Sequence, residues 1–134
     1  MAEKIIVPPE QLHSLSLAFL GDAVFELAVR QRIFQKGIVK LHQLNKETVR
    51  YVRADAQAEL VFLIEPFLTE EEADVLRRGR NAKSRHFSRG SSVVEYRHAT
   101  ALEALMGYLF VEHRQQRIDE LMDIMMAEKE ETKE

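Results

Sequence analysis

The run from Leu15 to Leu27 constrains this chain more than any other. On a helical wheel Leu15, Leu17, Phe19, Leu20, Val24, Phe25 and Leu27 leave no wide polar face, so a helix here is expected to be covered on most sides. Yet Asp22 sits in its middle, directly after Gly21. An ionised carboxylate in apolar surroundings costs several kcal/mol unless a cation, a metal or several donors meet it. Gly21 weakens the helix by roughly 1 kcal/mol relative to alanine, but lets another backbone or a metal come close. Something must offset two local costs placed side by side.

A second run repeats the arrangement. Ala99 to Gly107 is a helix-forming series of small and apolar residues with one carboxylate, Glu103, inside it and a glycine nearby. Each acid alone is explained by a buried arginine, with Arg30 and Arg97 as candidates. Two such acids, each isolated on an apolar helix, point instead to one shared cation site.

The remaining sequence supplies helices and stops. Met1 to Glu10, with Pro8-Pro9, reads as an extended arm, with Pro9 or Glu10 opening a first helical turn. The Leu15 helix is expected to run to about Gln35 and stop at Gly37. Asn45 is read as the cap of one long helix reaching Ile64, ended by Pro66. Thr69 with Glu72, and Ser92 with Glu95, form capping boxes. The helix begun at Thr69 is expected to fray near Gly79, and a final amphipathic helix spans His113 to about Lys129 with a frayed tail from Glu128. No strand-period segment, internal repeat or linker interrupts this pattern, so the predicted fold class is all-α, one domain over residues 1–134.

Composition narrows the function. The 134 residues suffice for one core but not for a catalytic domain plus a separate double-stranded RNA-binding domain. The absence of cysteine excludes disulfides and thiolate-ligated zinc, and no run approaches the roughly 18 apolar residues of a membrane span. A cytoplasmic protein without membrane contact is the expectation. A net charge of −3 rules out a generally basic coat, so any phosphate contact must be local. One stretch qualifies: Arg77, Arg78, Arg80, Lys83, Arg85 and Arg89 occur with Asn81 and His86 and without an acid. Gly79 and the serines around Gly90 mark much of it as loop. Such a run is ordinarily a solvated face. The five histidines show no zinc-ligand spacing, and Tyr51, Tyr96, Tyr108, Met122, Met125 and Met126 read as core.

Phe19-Leu20-Gly21-Asp22-Ala23-Val24 resembles the signature of the ribonuclease III family. Glu103-Ala104-Leu105-Met106-Gly107, led in by Tyr96-Arg97-His98-Ala99-Thr100, is similar to that family's second metal-binding helix. Order and spacing most resemble the short form made of the catalytic domain alone, Mini-ribonuclease III, over about Leu12 to Arg114. The larger family carries a glutamate at the place of Ala18 and an aspartate at that of Thr100, so only Asp22 and Glu103 carry over. The resemblance implies a ribonuclease III-like helical endonuclease domain that cleaves double-stranded RNA with Mg²⁺, or Mn²⁺ as a substitute. Asp22 and Glu103 would be its catalytic and metal-binding residues, and the ion would activate a water and stabilise charge on the scissile phosphate. It also implies a homodimer with the Leu15 helix near the two-fold axis, and a role in maturing the large-subunit ribosomal RNA precursor. Arg78 to Lys83 resembles the matching family segment, which assigns RNA binding to Arg77, Arg78, Arg80, Asn81, Lys83 and Arg85. Their guanidiniums suit shape recognition across an A-form minor groove. The alternatives are a non-catalytic RNA-binding or ribosome-assembly module on the same fold, favoured by the acids lost at Ala18 and Thr100, and a helical scaffold without RNA contact.

Overall fold

The computed structural model describes residues 12–82 and 92–132. The expected N-terminal arm and the basic residues Lys83, Arg85, His86 and Arg89 lie outside the described residues. Within them the chain forms α1 (Ser14–Gln35), α2 (Leu41–Val52), α3 (Ala54–Ile64), α4 (Glu70–Asn81), α5 (Val93–Val111) and α6 (Gln115–Thr132), with a short 3₁₀ turn at Glu65–Phe67. The described residues contain no strand, and the fold is all-α as its sequence predicts.

The central element is α5 rather than α1. Along α5 Ala99 to Leu102, Ala104 to Leu109 and Val111 are buried, against α1, α3, α4 and α6. Its start is the capping box expected at Ser92 and Glu95: Glu95 N–H donates to Ser92 Oγ at 3.0 Å and Ser92 N–H to Glu95 Oε1 at 3.2 Å. Its end is a turn in which His113 takes φ 59° and the Arg114 N–H reaches back to the Leu109 carbonyl at 2.9 Å. His113 therefore terminates α5 instead of opening α6, which begins at Gln115 and continues helical to Thr132 past the expected fraying point. Ile118, Leu121, Met122, Met125 and Met126 are buried on its inner face.

By contrast α1 is covered on one side only. Leu17, Ala18, Gly21, Phe25, Ala28, Val29 and Ile33 face the core, while Phe19 is 84 % exposed, Leu27 61 % and Phe34 59 %. The expectation of cover on most sides fails for the isolated chain. The ends of α1 follow local chemistry. His13 Nδ1 accepts the Leu15 N–H at 3.0 Å, a capping role its sequence context did not suggest, and Gly37 at φ 88° closes the helix where expected.

Two further expectations are corrected. The single long helix from Asn45 to Ile64 is two helices, broken at Arg53, whose ψ of 147° leaves the helical range. Arg53 then acts as N-cap residue: its carbonyl accepts the Gln57 N–H at 2.9 Å and its side chain pairs with Asp55, also at 2.9 Å. Asn45 lies inside α2 and caps nothing. The second correction concerns Gly79, where α4 does not fray. The glycine is buried, and a methyl there would stand 2.9 Å from Ala101 Cα, so it sets the close packing of α4 on α5. The capping box at Thr69 and Glu72 forms as expected.

The tightest contact in the fold is the crossing of α1 and α5. A methyl at Gly21 would fall 1.6 Å from the Glu103 carbonyl oxygen, and one at Gly107 would fall 2.0 Å from the Leu17 carbonyl oxygen. The two helices touch backbone to backbone, and neither obstacle is a side chain that could swing away. Gly21→Ala is therefore expected to destabilise the chain by about 3 kcal/mol or more through forced separation of the helices. Gly79→Ala, whose nearest contacts are about an ångström longer, is expected to cost less; thermal melts of both variants beside the parent check the order.

Candidate active site

The glycine crossing determines where the two acids stand. Asp22 follows Gly21 on α1, and Glu103 supplies the carbonyl that Gly21 touches on α5. Their carboxyl groups meet and share a hydrogen bond. They lie in a cleft of about 780 Å³ whose lining includes Phe19, Asp22, Glu26, Tyr96, Thr100 and Glu103.

Electrostatics separate the two acids. Burial pushes the Glu103 carboxyl up to about 8, with the neighbouring Asp22 charge as the second cause; a hydrogen bond from Gln57 pulls the other way, and the hydrogen bond shared with Asp22 adds to the rise. Asp22 is exposed to the cleft. At neutral pH Glu103 therefore keeps its proton. The alternative of a buried arginine for each acid does not hold. Arg30 pairs with Glu26 at 2.5 Å, Arg97 is exposed, and no cation is among the groups that set the protonation of Glu103.

The donor set fits a hard divalent cation. Among the described residues the two carboxyl groups meet without a counter-charge, at the wall of a cleft, and burial leaves Glu103 holding a proton. Among the described residues no group of three or more histidine, cysteine, aspartate or glutamate side chains is placed to hold a metal. Ala18 and Thr100 are both buried, and the Thr100 hydroxyl donates to the Tyr96 carbonyl at 2.9 Å. Neither position therefore offers a carboxylate to the cleft beside Asp22 and Glu103.

Arg77, Arg78, Arg80 and Asn81 form the last turn of α4, which ends two residues beyond the expected fraying point at Gly79. The part of the basic stretch expected as loop, from Lys83 onward, lies outside the described residues. Arg77 is hydrogen-bonded to Asp74, and Arg78 Nε lies 3.1 Å from the other Asp74 oxygen, so an acid just upstream partly neutralises the run. Through Gly79 this end of α4 packs beside Thr100, Ala101 and Ala104, the turn of α5 that carries Glu103.

Sequence reasoning missed Gln57, which is 3 % exposed and whose Nε2 donates to Glu103 Oε2 at 3.5 Å. Gln57 alternates with alanines between Asp55 and Glu59, and no pattern in the sequence set it apart from those polar neighbours. Tyr96, read as core, is instead half-buried at the cleft, whereas Tyr51 and Tyr108 are buried as expected.

Comparison with known proteins agrees with this geometry. Residues 15–114 match the model of the Ribonuclease III domain. A Mini-ribonuclease 3 of Brevibacillus brevis is 45 % identical over 125 residues, spanning 93 % of both chains. A Mini-ribonuclease 3 of Enterococcus faecalis is 40 % identical over 93 % of this chain and 96 % of its own. The crystal structure of a Fusobacterium nucleatum protein superposes with a TM-score of 0.82 at 32 % identity, covering 90 % of this chain and 99 % of the other. With a family match over most of its length and relatives this similar, the chain belongs to the ribonuclease III family of endoribonucleases.

Proposed function

We propose that this protein is a metal-dependent endoribonuclease that cleaves double-stranded RNA as a homodimer, with residues 1–134 forming its catalytic domain. The observation that carries the proposal is the Asp22–Glu103 pair: two neighbouring carboxyl groups at a cleft, with no cation beside Glu103 among the described residues. Asp22 and Glu103 hold Mg²⁺, or Mn²⁺ in its place, through their carboxylate oxygens. When bound, the ion supplies a water activated for attack and neutralises charge on the scissile phosphate. Glu103 gives up its proton on loading. Arg77, Arg78, Arg80 and Asn81, continued by Lys83 and Arg85, engage the phosphates and 2′-hydroxyls of the duplex beside the cleft. Among the described residues no helix is long and apolar enough to cross a membrane. Maturation of the large-subunit ribosomal RNA precursor in the cytoplasm is the cellular role the family resemblance implies.

A non-catalytic RNA-binding module is the second reading, supported by the missing acids at Ala18 and Thr100. Incubation with long double-stranded RNA, with and without Mg²⁺, separates the two: the enzyme shortens the duplex only with metal, the module never does.

The acid pair makes a signed prediction. Glu103 keeps its proton to about 8 in the fold and releases it near 4.5 once unfolded. The folded state therefore binds more protons than the unfolded state across that window, and metal-free stability falls as pH rises through it. The loss amounts to on the order of a few kcal/mol. Glu103→Gln should remove this dependence and melt above the parent at pH 8 in chelator, while cleavage in Mg²⁺ falls to background. A variant that melts far below the parent and still cuts RNA would assign Glu103 a structural role.

The exposed row on α1 addresses assembly. Phe19, Ala23 and Leu27 recur at four-residue spacing on one face, and Phe34 extends it. An apolar face of this kind suits a self-complementary contact between copies related by a two-fold axis. Phe19 fills no core position in a single chain, so Phe19→Ala should leave helicity intact while weakening the dimer. The measurement is a sedimentation series: dimer for the parent at about tens of micromolar, monomer for the variant, with a midpoint that no longer depends on concentration. A monomeric parent contradicts the assembly.

Duplex binding gives the third test. Replacing Arg78, Arg80 and Lys83 together by alanine should flatten the log–log salt dependence of binding by roughly 0.9 per lost phosphate contact. An unchanged slope would place the RNA elsewhere.

A further inference from the structure

Gln57 is a buried amide on α3, between the buried Ala56 and Ala58. Its flanking residues Ala56 and Ala58 and the downstream Leu60 and Val61 all face the core, and Gln57 itself is 3 % exposed. Burying an amide is costly unless it is hydrogen-bonded, and this amide reaches Glu103 Oε2 through Nε2 at 3.5 Å, across 46 residues of sequence. The contact is long for a hydrogen bond between a neutral amide and a carboxyl that itself retains a proton. A charged acceptor would shorten and strengthen it.

The break at Arg53 is what brings the amide there. Had α2 and α3 been one helix, as the sequence pattern reads, α3 would not turn to lie along α5. The capped restart at Arg53, with Asp55 braced by the Arg53 side chain, sets Gln57 on the face that meets Glu103.

We propose that Gln57 is a positioning residue for the metal site. Its N–H holds one oxygen of Glu103, so that the other oxygen stays turned toward Asp22 and the cleft. The proposal rests on the reading of Asp22 and Glu103 as metal ligands and adds to it a partner behind one of them. Groups that orient ligands in this way typically change metal affinity by 10–100-fold when removed. Gln57 is a donor to Glu103 and not itself a ligand, which distinguishes this role from direct coordination through the amide oxygen.

The test is titration of Mn²⁺ and Mg²⁺ into RNA-free protein by calorimetry, with melting in chelator as a check on folding. Four chains are compared: the parent, Asp22→Asn, Gln57→Met and Gln57→Glu. Methionine keeps the length and volume of glutamine and removes the donor; glutamate keeps the shape and offers an additional acceptor. Metal binding by the parent that is lost in Asp22→Asn establishes the site. Against that reference, Gln57→Met is expected to bind 10–100-fold more weakly, and Gln57→Glu likewise to bind more weakly than the parent. Since both variants lack the amide donor, either one that folds decides the matter. Unchanged affinity in either variant overturns the positioning role while leaving the metal site in place. Tighter binding in Gln57→Glu overturns it in favour of direct coordination. A parent that binds no metal overturns this role together with the reading it rests on.

Discussion

The structure depends on a contact that contains no side chains. Where α1 crosses α5, Gly21 and Gly107 bring backbone against backbone, and a single methyl on either would overlap a carbonyl oxygen of the facing helix. This closeness has a chemical consequence as well as a packing one. The residue after Gly21 is Asp22, and the carbonyl that Gly21 touches belongs to Glu103. The two carboxylates are thereby fixed to two rigid helices and not to loops, which holds them in register without any bond between the acids having to do so.

The same fold contains a control for what a buried acid looks like when its role is structural. Glu72 is 2 % exposed, more buried than Glu103, yet its carboxyl is shifted the other way. Burial pushes it up, but Arg117 donates to both of its oxygens at 2.8 Å and the Thr69 N–H adds a third bond at 3.0 Å, and together these outweigh burial. Glu72 is thus ionised and satisfied, joining the start of α4 to α6. Among the described residues Glu103 has a second acid and an amide for neighbours and no cation. The fold supplies arginine to a buried carboxylate one helix away, and none of the described arginines does so at Glu103.

What was legible in the sequence divides along physical lines. The capping boxes at Thr69 and Ser92 and the stop at Gly37 are local chemistry, complete within four residues, and all three form as read. Asp22 and Glu103 were legible because an isolated acid beside a glycine on an apolar helix has few satisfactory explanations. The break at Arg53 was not, since nothing in the run from Leu41 to Ile64 forbids a continuous helix and the bend is settled by packing of α3 on α5. Gly79 misled for a related reason: helix propensity counts a glycine as a weak point, whereas close approach of α4 to Ala101 requires one. The expected helix end therefore fell at Gly79, whereas α4 carries Arg80 and Asn81 as well. Gln57 was invisible for want of any pattern, as a polar residue between Asp55 and Glu59 acquires meaning only from what lies opposite it.

One consequence joins the cleft to the proposed assembly. Successive residues of a helix are separated by about 100°, so Gly21 faces α5, Asp22 turns to the cleft, and Ala23 turns on toward the row formed with Phe19 and Leu27. Phe19, Ala23 and Leu27 line the same cleft as Asp22 and Glu103. In a dimer built on that row, the partner would form part of the cleft wall, and exclusion of water from one side of the acid pair would depend on association. The apolar face and the acid site are then not separable properties of α1. In that dimer a change on the outer row that leaves every group around Glu103 in place would still alter the environment of the two acids, because the low-dielectric wall opposite them would belong to the second chain.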